Sequence, residues 1–206
     1  MPERILDREP RLAPLKETIL TVYNHLSEVF TSGNRLFVCG NGGSFADSIH
    51  IVGELVKSFE KKRPLNKDEQ EALKGLYGAD ALAPHLEKGL PAYALGTNLA
   101  LNTALLNDVI EKEILFAQEL YVLGSKGDAL IGISTSGNAR NVMLAVSAAR
   151  AMGISTIALT GRDGGLLKDA VDIAIVADEH TTREVQQVHQ LIYHTLCLML
   201  EEHFYG

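Results

Sequence analysis

Cysteine is scarce in this chain. There are two in 206 residues, Cys39 and Cys197, far apart and each in apolar surroundings. With no CxxC pair, a thiol redox motif and a cysteine-built zinc site are excluded, and both thiols read as buried and free. Basic charge is also in short supply, with 19 Lys and Arg against 26 Asp and Glu and a formal net charge of −7. No basic run extends beyond Lys61-Lys62-Arg63, so the concentrated basic face needed to grip a nucleic-acid backbone is missing. No apolar run reaches membrane-spanning length, and Met1-Pro2-Glu3-Arg4 opens without an apolar signal core. The expectation is a cytoplasmic protein with neither a nucleic-acid nor a membrane partner. The GxGxxG dinucleotide fingerprint and the GxxxxGK[ST] loop are absent as well.

What is present suits one ordinary soluble domain over residues 1–206: 46% apolar and 22% charged residues, and enough chain for one sizeable core. Within residues 1–31, Leu15, Ile19, Leu20, Tyr23, Leu26, Val29 and Phe30 fall at helical spacing, and Ser32-Gly33-Asn34 supplies a stop. Leu36–Cys39 is a continuous apolar run before glycine, which reads as a buried parallel strand. Residues 91–95, 129–133, 155–159 and 171–176 are four more runs of strand length. Helical patterns fall at about 44–59, 109–123, 138–152, 164–169 and 182–203. Strand alternating with helix predicts a parallel sheet covered on both faces.

Residues 60–90 break the rhythm. They are charged, carry Pro64 and Pro84, and are too long for a plain loop. We read an insertion at about 66–88, with short helices at 67–75 and 79–87. Its three candidate roles are a lid or wall over a site, which is the reading favoured because Thr97 and Asn98 follow soon after, an oligomer contact, and a solvated excursion.

Three strand-to-helix turns carry the chemistry. Gly132-Ile133-Ser134-Thr135-Ser136-Gly137-Asn138 sets three hydroxyl residues before a helix N-terminus, where unpaired amides and the helix dipole favour an anion. One such residue suffices to cap a helix; three together predict a phosphate cradle. Cys39-Gly40-Asn41-Gly42-Gly43-Ser44 is a second turn of this kind, and both belong at the carboxyl edge of the sheet, where ligands bind. Thr160-Gly161-Arg162-Asp163-Gly164-Gly165 is a third, read equally well as a connector. His50 and Glu54, four apart on one helix face, read from spacing alone as a helix-surface pair, and Gln186, His189 and His194 as polar residues of the last helix.

Together and in order, Cys-Gly-Asn-Gly-Gly-Ser at 39–44, Gly-Ile-Ser-Thr-Ser-Gly-Asn at 132–138 and Leu-Thr-Gly-Arg-Asp-Gly-Gly at 159–165 make the chain resemble the sugar isomerase (SIS) domain family, within it the phosphoheptose isomerases. The likeness covers nearly the whole chain except about 66–88. It implies an α/β fold with a five-stranded parallel sheet, and a homotetramer with sites shared between subunits. It also implies a small-molecule sugar phosphate as substrate, held by Asn41, Gly42, Gly43, Ser44, Asn98, Ser134, Thr135, Ser136, Asn138 and Gln186. Glu54 falls on the family's catalytic glutamate and His194 on its catalytic histidine. His50, Glu54, Gln186 and His194 match the zinc-holding residues of metal-containing members, which makes zinc, one ion per site, the candidate cofactor.

The expected reaction is ketose–aldose isomerisation through an enediol, most simply sedoheptulose 7-phosphate to glycero-manno-heptose 7-phosphate. Two alternatives stand beside it: a non-catalytic SIS protein acting as regulator or scaffold, and an isomerase of another phosphosugar. Ala139, Thr97, Asn98 and Arg183 depart from the family pattern and bear on which sugar is used.

Overall fold

The computed structural model describes residues 2–206, and its strands fall on the five apolar runs. β1 (Leu36–Gly40), β2 (Ala92–Ala94), β3 (Ala129–Ser134), β4 (Ser155–Gly161) and β5 (Ile173–Ala177) pair in parallel in the order β2-β1-β3-β4-β5. β1 and β3 are buried at every residue, because helices cover both faces of the sheet. Successive side chains alternate between those faces. Leu36, Val38, Ile131 and Ile133 enter one core with α2 (Lys16–Thr31), α3 (Gly43–Val56) and α10 (Thr182–Tyr205). Phe37, Cys39 and Leu130 enter the other with α7 (Leu115–Leu123), α8 (Arg140–Met152) and α9 (Gly165–Ala170). Both cysteines are buried and free, and burial pushes the Cys39 thiol up to about 12.

The strand order positions the site. From β1 the chain moves outward to β2, then crosses back to lay β3 on the other side of β1. A crevice opens at such a reversal, beyond the carboxyl ends of the two strands, and the first two turns flank it.

Several helix boundaries differ from the sequence reading. The N-terminal helical stretch is broken into α1 (Pro2–Leu6), a 3-10 turn at Pro10–Leu15 and α2. Pro10 and Pro14 lack the N–H that a continuous helix would use. The helix expected at 109–123 is a 3-10 turn at Lys112–Ile114 followed by α7, and α6 (Leu99–Asp108) precedes it unexpected. α6 escaped notice because its apolar residues do not gather on one face: Leu99 and Leu106 are 75% and 55% exposed. The helix expected at 44–59 stops at Val56, and the one expected from 138 begins at Arg140.

The insertion forms α4 (Lys67–Glu71) and α5 (Ala79–His85), both shorter than expected. Asn66 and Glu69 open α4 with a capping box. An antiparallel bridge from Pro64 to Glu87 and a Lys88–Glu69 ion pair of 3.1 Å close its base. Its described hydrogen bonds and ion pairs stay within itself and its neck, and none reaches a candidate site residue. Tyr77, at the turn between the helices, is fully exposed.

Candidate active site

The hydroxyl-rich turn leaves β3 with Ser134 buried and Thr135 and Ser136 half-buried. Gly137 follows at φ 66°, and a Cβ built there would lie 1.9 Å from the Gly164 carbonyl oxygen. Only glycine permits that approach, and through it the third turn, Thr160–Gly165, packs against the hydroxyl-rich turn after β3. The Leu167 amide donates to Gly137 O at 2.9 Å, and the Leu166 amide to Asn138 Oδ1 at 3.2 Å. Thr160–Gly165 is therefore fixed against the hydroxyl-rich turn. Beside it lies a cavity of about 470 Å³ lined by Ser136, Asn138, Arg162, Asp163 and His180. Arg162 is the one non-glycine residue with positive φ, 56°, among the described residues. Sequence reasoning did not select Arg162 or His180; the glycine-rich third turn was the available signal.

The first turn meets the second across the reversal. Asn41 and Asn141 exchange two amide hydrogen bonds of 2.8 Å, tying the turn after β1 to the first turn of α8. Asn141 was not foreseen. Gly42 N-caps α3, and Ser44 in its first turn is buried, its amide donating to Asn41 O. Gln186, near the start of α10, places its side-chain amide against Gly43, where an added Cβ would lie 2.3 Å from Nε2. The Asn98 side-chain oxygen accepts from the Leu101 amide and caps α6. The Thr97 hydroxyl donates to Ala94 O at 3.0 Å. Arg183 is exposed in the first turn of α10, 3.9 Å from Glu184.

A second cluster lies further down α3 and α10. His50 Nε2 is 3.0 Å from Glu54 Oε1 and 3.5 Å from His194 Nε2. His50 Nδ1 is 3.1 Å from the Tyr193 hydroxyl, which donates to Asp47 Oδ1 at 3.2 Å. Burial and the neighbouring His50 push the His194 pKa down, leaving a neutral ring that can donate or accept a proton at pH 7. Burial raises the carboxyl of Asp47, and burial with the adjacent Asp47 raises the Tyr193 hydroxyl. Asp47 and Tyr193 were missed in the sequence, although Asp47 lies three residues before His50 on one helix face. His189 stands apart: it is fully buried, donates from Nε2 to Thr160 O at 3.1 Å, and is held neutral because burial lowers its pKa.

The structure thus brings His50, Glu54 and His194 together but not Gln186 with them. Gln186 touches Gly43, seven residues before His50 on α3 and so about 10 Å away along the axis. Among the described residues no group of three or more His, Cys, Asp or Glu is arranged to hold a metal ion. Within a single chain the four-donor zinc set is not assembled, because Gln186 stays with Gly43.

The five-stranded parallel sheet with this reversal is that of a SIS-class α/β domain, and the SIS domain family model matches residues 69–161. The chain is 39% identical to the phosphoheptose isomerase of Crocosphaera subtropica over 177 residues, 86% of this chain and 78% of that protein. It is 37% identical to that of Trichlorobacter lovleyi over 194 residues, 94% of this chain and 86% of that one. The solved phosphoheptose isomerase of Neisseria gonorrhoeae superposes with a TM-score of 0.75 at 28% identity, covering 97% of this chain and 94% of that one. This chain belongs to the phosphoheptose isomerase family of SIS-domain proteins, a family of aldose–ketose isomerases.

Proposed function

We propose that the protein interconverts sedoheptulose 7-phosphate and glycero-manno-heptose 7-phosphate. The observation that carries the chemistry is the convergence of Glu54, His50 and His194 within 3.0 and 3.5 Å contacts on two helices far apart in sequence. Glu54 removes a proton from the carbon next to the carbonyl. Neutral His194 protonates the carbonyl oxygen, and the enediol results. Glu54 then returns its proton to the former carbonyl carbon while His194 takes back a proton from the neighbouring hydroxyl. His50 orients the Glu54 carboxylate and is held in turn by Tyr193. No step is routed through a metal.

Ser134, Thr135, Ser136 and the amides of their turn hold the phosphate, with Asn41, Gly42, Gly43, Ser44, Asn138 and Gln186 around the same crevice. Glu54 stands eleven residues down α3 from Gly43, about 16 Å along its axis, and His194 eight residues down α10 from Gln186, about 12 Å. A single chain holds the two halves far apart. That supports a homotetramer in which the phosphate turn of one subunit serves the acid–base cluster of another. The same reading puts the protein in the cytoplasm, since charged sugar phosphates do not cross membranes unaided. No described helix is long and apolar enough to span a bilayer.

The test is proton NMR in deuterated water with a panel of ketose phosphates. Deuterium should enter at the carbon beside the carbonyl of the heptulose phosphate. Exchange with a different sugar would reassign the substrate, as the Thr97 and Asn98 departures allow, and exchange with none would leave a non-catalytic binder.

A further inference from the structure

The helix that carries His50 and Glu54 ends at Val56, and the last carbonyls of a helix have no partner within it. Two of them are taken by one side chain from outside: Arg63 donates from Nη2 to Glu54 O at 3.1 Å and from Nη1 to Leu55 O at 2.8 Å. The same guanidinium meets Glu201 on α10, with Nε 3.0 Å and Nη2 2.9 Å from Oε1. Arg63 is 2% exposed and Glu201 1%. The Glu201 carboxylate also accepts from the amides of Phe59, Glu60 and Lys61 at 2.9, 2.9 and 3.1 Å. Burial acts to raise its pKa, but those amides and Arg63 outweigh it and hold the group ionised. Glu201 lies seven residues after His194, which places both on about the same face of α10. The Phe59 ring lies 5.5 Å from that of His194.

Arg63 thus touches the backbone of the proposed base on one side and the helix of the proposed acid on the other. We propose that Arg63 and Glu201 are positioning residues, a buried clamp that sets the separation of Glu54 and His50 from His194; this rests on the isomerase reading above. A buried ion pair contributes little net stability compared with apolar packing. What a planar guanidinium shared among two carbonyls and a carboxylate does supply is fixed geometry. Proton transfer is sensitive to that geometry, since a misplacement of about 1 Å can cost ~10²-fold in rate.

Three variants of the full chain test the inference. Arg63→Lys keeps the charge but cannot reach all three partners. Glu201→Gln keeps the shape without the charge. Arg63→Met with Glu201→Leu replaces the pair by apolar side chains, a change that buried pairs often tolerate. Each is measured for thermal stability, for kcat and KM with the sugar phosphate the parent turns over, and for affinity towards that sugar phosphate by calorimetry. The expected result is a kcat lower by about 10- to 100-fold in folded protein. KM and affinity should stay within about threefold, because the clamp does not touch the turn after β3. A parental kcat in the folded double variant would overturn the proposal, and so would loss of folding in all three, which would make the pair purely structural. Should the parent turn over no ketose phosphate, the isomerase reading fails by itself. Histidine ring NMR then decides the clamp: in Arg63→Lys the His50 and His194 resonances should shift while those of His25 and His85 stay. Unmoved His50 and His194 signals would refute it.

Discussion

The turn after β3 and the cluster on α3 and α10 are built on opposite principles. The turn is local: Ser134 to Asn138 are contiguous, and backbone amides and small hydroxyls do the work. The cluster is wholly tertiary, since Glu54 and His194 are 140 residues apart in sequence and become neighbours only because α3 and α10 pack on the same face of the sheet. A turn of this kind tolerates a generic anion, whereas the cluster suits one kind of proton transfer. Binding and chemistry should therefore separate under mutation.

The largest effect expected is on chemistry alone. Glu54→Gln removes the base while keeping the shape, so turnover should fall by ~10²–10⁴-fold with sugar-phosphate affinity nearly intact. Loss of less than tenfold would dissolve the contrast between the halves. The complementary change is Ser134→Ala with Ser136→Ala. It should remove most of the preference for sedoheptulose 7-phosphate over free sedoheptulose, read by calorimetry, and leave residual turnover per bound substrate. An undiminished preference would take the anchor away from this turn.

A smaller effect concerns His189, which belongs to neither half. Its folded-state pKa lies below the ordinary value because it is buried, so the unfolded chain binds the proton more readily. Stability should be full above about pH 6.5 and fall as the pH drops below it, by about 1.4 kcal/mol for each unit of depression. Urea midpoints at pH 8 and pH 5 measure this, and His189→Gln should narrow the gap between them.

The smallest effect is expected at the insertion. Since its described polar contacts stay within itself and its neck, replacing residues 66–88 by a short Gly-Ser linker should leave kcat unchanged. A shift in KM or sugar preference would identify a wall of the site, and dissociation of an oligomer would identify an assembly contact.

Much of this was legible in the sequence for a physical reason. A strand buried on both faces needs an unbroken apolar run, so β1 and β3 stood out. Glycines and three hydroxyl residues at adjacent positions are rare together, so 132–138 stood out as well. α6 did not, because its apolar residues are spread round the helix and Leu99 and Leu106 face solvent. Tyr193 and Asn141 were invisible for a related reason: each matters through a partner distant in the chain, and spacing reports only local neighbours.

The sequence by itself determined the parallel α/β architecture, its five strands and the glycine- and hydroxyl-rich turn after β3, because all of these are encoded in local patterns of burial, backbone freedom and small side chains. The tertiary structure decided which polar residues meet. It set His50 and Glu54 against His194, spent the Asn98 oxygen on capping α6, joined Asn41 to Asn141, and kept Gln186 with Gly43 rather than with the histidines. The reason is geometric: on long helices a side chain's partners are chosen by the packing of one helix against another, and one residue's identity does not fix that packing.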